Sequence, residues 1–297
     1  MKVFKLTENM RAKLLGGDNL AFAMYLLRIG EGREKEYPEI GESMIEIPSH
    51  LKSKAKSINE FCYETFPGLK NKVGTGMANR QFDAEWVDWL MSRAVICPTN
   101  EDAEEVNTFL LNELPGQPWV YRSSDKVLCE EDQLKYPIEY LNSIQLSSMP
   151  PHLMVLKAGA PIMLMRNLDP KNGHVNGARY VIKSMTSRVI LAQLATGDHK
   201  GKDLLIPRIY FEPKGSPFQM QRKQFPVKPC FAITSNKSQG QTLSQVGIYL
   251  KHDFFGHGQL YTAMGRVGSS KQLSIFKPKS IENSDYMRNV VYKEILS

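Results

Sequence analysis

The stretch Phe231 to Val267, FAITSNKSQGQTLSQVGIYLKHDFFGHGQLYTAMGRV, constrains the chain more than any other segment. Phe231, Ala232 and Ile233 form a short apolar run that stops at Thr234-Ser235-Asn236-Lys237-Ser238-Gln239-Gly240-Gln241-Thr242, nine residues without an apolar side chain. Such a turn supplies hydroxyls, amides, one ammonium and a glycine-loosened backbone, a set that suits anionic oxygens. Val246, Ile248 and Leu250 then alternate with Gly247 and Tyr249, the period of a strand, expected to return beside the first and hold the turn at a shared edge. From His257 onward a helical pattern follows, with Leu260, Ala263, Met264 and Val267 on one face and Tyr261, Thr262, Gly265 and Arg266 on the other. Arg266 is thereby expected on the open side of a helix near its C-terminus, where a lone arginine ordinarily favours the helix dipole and solvates.

Charge is divided unevenly along the 297 residues. Residues 1 to 150 carry 17 Lys and Arg against 23 Asp and Glu, whereas residues 151 to 297 carry 21 against 8. The second half, at +13, calls for an anionic partner, with nucleic acid ahead of a membrane because no basic amphipathic helix is evident. A merely soluble basic surface is the competing reading, and the phosphate-competent turn inside this half weighs against it. The length suits one large or two modest domains. No apolar run approaches a membrane span, and MKVFKLTENMRAK lacks the apolar core of a signal peptide, so an intracellular location is expected. Cys62, Cys97, Cys129 and Cys230 are isolated, without CxxC or histidine at ligand spacing, and read as reduced thiols with no metal site.

The strings TSNKSQGQT and HGQLYTAMGRV resemble motifs V and VI of the PIF and RecD-like DNA helicases, a 5′ to 3′ group of superfamily 1 that includes Helitron-type enzymes. In that family the first string joins nucleotide to single-stranded DNA, and the second supplies an arginine finger to the γ-phosphate. The resemblance implies that Arg266 is the finger and that Gln239 and Gly240 lie against the nucleotide. Gln259 and Tyr261 belong to the same cofactor-side group and are expected to order the arginine helix. Thr234, Asn236, Lys237, Ser238 and Thr242 are the implied DNA contacts. Two positions depart from the family pattern: Gly265 replaces the usual Ser, and Ser235 replaces an aliphatic residue.

Near the start, Val3-Phe4-Lys5-Leu6-Thr7-Glu8-Asn9-Met10-Arg11 resembles motif IV, which makes Arg11 a second cation for the nucleotide phosphates. Asp18 is an N-cap, and Leu20, Ala23, Met24 and Leu27 follow at helical spacing until Gly30, a helix expected to pack through that stripe. Gly74-Thr75-Gly76 reads as a loop, since no Lys-Ser/Thr pair follows and no strand precedes it. Phe82, Trp86, Trp89 and Leu90 form an apolar helix face. Ala94 to Cys97 reads as a buried strand, and Thr99 to Asp102 as a capping box opening a helix, the repeating unit of an α/β domain. The resemblance puts this strand in one parallel sheet with the strand before motif V.

Residues 115 to 150 read as a polar, acidic connection containing Tyr121-Arg122-Ser123-Ser124-Asp125, a weak match to a family YxSxD run. Short strands follow at 156–165, 180–182, 189–194 and 204–206, with Asn172-Gly173 and Asn176-Gly177 as turns, the pattern of a small β-barrel. LKAGAPIMLMRNLDPKNGHVNGARYVI resembles the SH3-like 2B insertion of PIF-type helicases, a module that grips or guides DNA. There Arg166 and Arg179 are the expected backbone contacts, within a polar face that also holds Asn167, Lys171 and Asn176. Residues 269–276 read as an edge strand, and 281–297 as a polar tail helix.

The expected fold class is α/β, a RecA-like P-loop-NTPase second lobe carrying an inserted SH3-like β-barrel. Its divisions are 1–135 and 226–280 for the lobe, 136–225 for the insertion and 281–297 for the tail. No GK(S/T) occurs anywhere, since Gly201-Lys202 precedes Asp203, and no strand ends in an Asp-Glu pair. ATP and Mg2+ are therefore expected only in a complete two-lobe enzyme, with magnesium ligands outside this sequence, and the polypeptide alone is expected to hydrolyse ATP negligibly. The implied partners are single-stranded DNA and an N-terminal motor lobe, for a monomer without membrane contact. The implied setting is nuclear, or mitochondrial as the alternative, in DNA repair, recombination or telomere and genome maintenance. The competing class is a non-catalytic nucleic-acid-binding fragment derived from a transposon-borne helicase.

Overall fold

Residues 17–71, 84–213 and 218–295 are described in a computed structural model of the protein. In chain order the first elements are α1 (Gly17–Gly30), β1 (Met44–Glu46), α2 (Ile58–Thr65), α3 (Ala84–Met91), β2 (Arg93–Cys97) and α4 (Asn100–Glu113). There follow β3 (Trp119–Arg122), β4 (Ser124–Val127), α5 (Glu130–Gln133), α6 (Ile138–Ser143), β5 (Leu153–Leu156), β6 (Pro161–Leu164), β7 (Arg179–Met185) and β8 (Val189–Leu194). The chain continues through β9 (Asp203–Pro207), β10 (Ile209–Phe211), β11 (Met220–Gln224), β12 (Val227–Pro229) and β13 (Ala232–Thr234). It closes with α7 (Ser235–Ser238), β14 (Gln245–Tyr249), α8 (Gln259–Met264), β15 (Leu273–Phe276) and β16 (Tyr286–Arg288). Among the described residues two compact units result, one from 17–67, 92–106 and 232–295, the other from 68–71, 84–91, 107–213 and 218–231.

The first unit is built on a four-stranded parallel sheet in the order β13-β2-β14-β15. β2 therefore lies between β13 and β14, and the expectation that the strand after the polar turn returns directly beside the strand before it is corrected. An alternating pattern identifies a strand but not its neighbour, and a parallel sheet accommodates a crossover that leaves room for β2. The parallel pairing of 94–97 with the strand before the turn holds, with Val95 opposite Ala232. β14 is buried on both faces, as central parallel strands are. Helix α2 approaches it so closely that a Cβ on Gly247 would lie 2.4 Å from Thr65 Oγ1 and 2.7 Å from Phe61 Cζ. Phe61, Tyr249 and Phe276 pack ring on ring beside that contact.

Two further expectations change in this unit. In α1 the buried apolar residues are Phe22 and Ile29, while Leu20, Met24 and Leu27 are 57%, 55% and 50% exposed. The tail expected as a helix contains strand β16, antiparallel to β1 with Met287 opposite Ile45 and both buried. Period-two burial of Met287 against a strand more than 240 residues earlier is a tertiary effect that local helix propensity does not report.

The second unit contains a five-stranded antiparallel sheet in the order β12-β6-β7-β8-β9, whose strand β12 (Val227–Pro229) lies beyond residue 225, where the insertion was expected to end. Gly173 and Gly177 take left-handed backbone at φ 82° and 90°, which the two Asn-Gly turns require. The segment read as a polar connection instead supplies β3, β4 and two short helices. β4 joins β11 and β10 in a three-stranded antiparallel sheet, and β3 pairs with β5.

Under the three-stranded sheet Arg222 and Asp125 form an ion pair whose side chains are both 0% exposed. Arg222 Nε donates to both carboxylate oxygens at 3.0 Å, and Nη2 donates to Asp125 Oδ2 at 2.7 Å. Its remaining donors reach the carbonyls of Leu141, Ile144 and Pro150 at 2.8 to 3.1 Å. With every guanidinium nitrogen engaged, the desolvation of both charges is offset inside an apolar cluster of Val127, Leu141, Met149, Phe211, Phe218 and Met220. Asp125→Ala leaves a buried, uncompensated guanidinium and is expected to destabilise the protein by about 3–5 kcal/mol, measured from urea unfolding midpoints. A loss within experimental error of zero would contradict this assignment.

Candidate nucleotide and nucleic-acid site

The polar turn after β13 and helix α8 form one hydrogen-bonded assembly at the carboxyl end of the parallel sheet. Thr234 closes β13 in extended backbone, and Ser235 to Ser238 coil into the single helical turn α7. Ser235 is 1% exposed, and its Oγ donates to the carbonyl of Gln259 at 2.7 Å. Ser238 Oγ donates to the Ser235 carbonyl at 2.7 Å, and the Gln241 N–H donates to the Ser238 carbonyl at 3.1 Å. Gly240 has φ 78°, with open space where a Cβ would stand, so the chain reverses there without crowding its outer face.

Helix α8 is entered through Gly258, whose φ of 68° again needs left-handed backbone. Gln259 Oε1 accepts from the Gly256 N–H at 3.1 Å, which fixes the loop ahead of the helix. Leu260, Ala263, Met264 and Val267 are buried on the face that the helical period assigned to them. Tyr261 is 44% exposed, and its ring lies against Gly30 at the end of α1, where a Cβ would come within 3.0 Å of Cδ2.

Arg266 stands two residues past the end of α8 and is half-buried. Its Nε donates to the Thr262 carbonyl at 2.8 Å, and Nη1 reaches the carbonyls of Ser238 and Gln241 at 3.4 and 3.3 Å. The Leu243 N–H returns a bond to the Arg266 carbonyl at 2.9 Å. A guanidinium expected to project into solvent is thus folded back onto the turn and the end of α8, where three backbone carbonyls accept from it. This brings Arg266, Gln239 and Gly240 into one neighbourhood of cationic, amide and open backbone groups, the donor types that phosphate oxygens require.

The other sequence-derived residues divide by exposure. Asn236, Lys237, Gln239, Gly240 and Thr242 are exposed, and Thr234 is half-buried. Ser238 is fully buried with its hydroxyl committed to Ser235, so its assignment as a DNA contact is corrected. Arg179 is corrected likewise: it is 1% exposed, with Nη1 donating to the Met91 carbonyl at 3.1 Å and Nη2 to that of Cys230 at 3.4 Å. It serves as an internal strut of the second unit. Arg166 is half-buried, bonded to the Ser148 carbonyl at 3.0 Å and stacked over Phe211 at 4.9 Å. Arg11, Gly74 to Gly76 and Phe82 lie outside the described residues.

Ser235 is the residue whose structural part sequence reading missed. Its departure from an aliphatic pattern was the available signal, and its hydroxyl makes one of the bonds between the polar turn and α8. Elsewhere on the sheet's carboxyl edge, the Asp102 N–H donates to Thr99 Oγ1 at 3.1 Å, the capping bond expected there. Asp102 Oδ1 lies 2.8 Å from His252 Nδ1. Burial, and secondarily the Asp102 charge, push the Cys97 thiol well above its usual range. Among the described residues no cluster of three or more His, Cys, Asp or Glu side chains could hold a metal ion. The exposed amide, hydroxyl and ammonium groups of the turn and the Arg266 guanidinium are of the types that bind phosphate oxygens.

The chain is similar in part to known proteins. Residues 139–185 match the family model described as DNA helicase Pif1, 2B domain. The chain is 27% identical over 261 residues to the ATP-dependent DNA helicase PIF1 of Danio rerio, covering 83% of this chain and 38% of that protein. It is 30% identical over 200 residues to the PIF1 of Xenopus laevis, covering 65% of this chain and 29% of that protein. Both alignments therefore take in well under half of those relatives' length. Among solved structures, the Pif1 helicase from Candida albicans superposes with a TM-score of 0.52 at 20% identity, over 78% of this chain and 56% of that one. The fold is that of a RecA-like α/β lobe with a parallel sheet, accompanied by a 2B domain. More particularly, residues 139–185 resemble the 2B domain of the DNA helicase Pif1, and most of the chain is similar to part of the ATP-dependent DNA helicases named PIF1.

Ser235→Ala removes the donor that joins the turn to α8 and leaves the Gln259 carbonyl without it. The variant is expected to lose about 1–3 kcal/mol in urea unfolding. It should also accelerate amide exchange across 235–243 and 259–266 together. Exchange confined to one of these segments would show that they are not coupled.

Proposed function

We propose that the chain acts as the second motor lobe of an ATP-dependent 5′ to 3′ DNA helicase, binding single-stranded DNA and presenting Arg266 to the nucleotide. The observation that carries this reading is the closure of the polar turn and the arginine helix into one unit through Ser235–Gln259 and Arg266–Ser238/Gln241. A motor must couple nucleotide state to DNA grip. A turn whose outer face holds Lys237 and Thr242 and whose inner carbonyls hold the arginine gives that coupling a short path.

In this proposal Arg266, with Arg11 as second cation, neutralises charge on the transferred phosphoryl, and Gln239 and Gly240 line the nucleotide side. Bound Mg·ATP supplies the phosphoryl-transfer chemistry. Lys237, Asn236, Thr242 and Thr234 hold DNA phosphates, and Gln259 and Tyr261 keep α8 oriented. Nuclear repair, recombination and genome maintenance are the setting proposed. The similar proteins are ATP-dependent DNA helicases, and a structural neighbour crystallised with ADP-AlF3 and ssDNA also supports the reading.

Binding of a fluorescent oligothymidylate to the chain should fall steeply as salt rises from about 50 to 200 mM. Lys237→Ala should lower the slope of log affinity against log salt by about 0.7, the share of one phosphate contact on a single strand. Absence of binding at the lowest salt would overturn the DNA-binding part of the proposal.

A further inference from the structure

The segment after β16 crosses the entry of α8 and is fastened there by a histidine. Asn289 is buried; its N–H donates to the Ser43 carbonyl at 2.9 Å, and its Nδ2 donates to the carbonyl of Ile29, in the last turn of α1, at 2.9 Å. The next carbonyl, that of Val290, accepts at 3.0 Å from the N–H of Gly258, the residue that opens α8. Val291 lies so close to Gly32 that a Cβ there would come within 3.1 Å of its own Cβ. The Tyr292 N–H then donates to His257 Nδ1 at 2.9 Å, and the two rings stack with centroids 5.2 Å apart and planes 11° from parallel.

That last bond fixes a protonation state. A backbone N–H can only donate, so Nδ1 must present its lone pair, and the proton of the neutral imidazole sits on Nε2. An imidazolium carries N–H at both nitrogens and would set donor against donor. His257 and Tyr292 are both exposed, so the ring exchanges protons with solvent. The charged groups on the elements around it are Asp253 of the same loop, paired with Lys277, Arg288 with Glu42, Lys293 with Glu36, Glu31 with Arg33 after α1, and Glu294 beside Lys293. Carboxylate pairs with ammonium or guanidinium groups keep their charges across the range in which histidine titrates. We propose that His257 is a proton-operated latch: its neutral form fastens residues 289–292 across the entry of α8, and its protonation frees Tyr292 and loosens the adjoining Val290–Gly258 bond. The fastening is present at about pH 8 and lost as the pH falls towards about 5. On the role proposed above for Arg266, which follows the same helix, the latch makes the placement of that arginine sensitive to protons, while the latch itself does not depend on that role.

Amide exchange of the full chain, without nucleotide or DNA, tests this at about pH 8 and about pH 5 once the intrinsic pH dependence of exchange is divided out. In the parent, protection of the Tyr292 and Gly258 amides should fall about fivefold at the lower pH, the share of one ordinary hydrogen bond, relative to amides of β2 and β14. His257→Asn places a carbonyl oxygen near the Nδ1 position and does not titrate, so it should keep the protection at both pH values. His257→Phe keeps the ring stack without the acceptor and should lack the protection at both. The imidazole nitrogen shifts of the parent should show the Nε2–H tautomer at the higher pH, a reading that needs no variant. An Nδ1–H tautomer, a loss in His257→Asn equal to the parent's, or full protection in His257→Phe at the higher pH would each overturn the latch. None of these readouts involves hydrolysis or DNA, so their failure is distinct from failure of the role proposed for Arg266.

Discussion

One hydroxyl organises the functional half of this protein. Ser235 lies at the carboxyl end of a buried strand and donates to the carbonyl of Gln259, 24 residues later, at the first position of α8. Both groups are buried, so neither can exchange the bond for water, and a buried acceptor without a donor is costly. In the first unit this bond is one of several that tie the polar turn to α8 and the residues just beyond it. It sets the distance between the turn and α8, and so allows Arg266, just beyond that helix, to reach back to the carbonyls of Ser238 and Gln241. Four strands of parallel sheet hold the two ends, because β13 and β14 are locked on opposite sides of β2.

The second unit solves a different problem by similar means. Its strands come from segments as far apart as 124–127 and 220–224, and the sheet they form is held to its core by an arginine with all its donors satisfied. Arg179 plays a comparable part elsewhere in the unit by binding the carbonyls of Met91 and Cys230. Basic residues in a chain with a strongly basic half are thus used in two ways, some as internal struts and others, such as Lys126, Lys223 and Lys237, at the surface. Only the second kind is available to an anion.

That division explains what could be read from the sequence. The polar turn, the arginine helix, the β2 strand with its Thr99 cap and the meander from β6 to β9 were legible because each is specified by local period and turn chemistry. The neighbour order of the sheet was not, since β2 enters between two strands more than 130 residues further along the chain. Arg179 and Ser238 looked like surface contacts because side-chain type predicts exposure on average, whereas their burial follows from acceptors contributed by remote or reversed backbone. The exposed stripe on α1 and the strand in place of a tail helix have the same origin: partners distant in sequence override a local pattern. Ser235 was visible only as an oddity until its acceptor was located.

The central claim is that the turn and the arginine form half of a nucleotide site that another lobe completes. The most direct measurement joins this chain to a lobe bearing a Walker-type phosphate loop and compares DNA-stimulated ATP hydrolysis with and without Arg266→Ala, while nucleotide and DNA affinities are measured in parallel. The account predicts that hydrolysis falls by a factor on the order of 10³ or more, the loss expected on removing an arginine finger, with both affinities close to the parent's. Unchanged hydrolysis in the joined Arg266→Ala protein would contradict it.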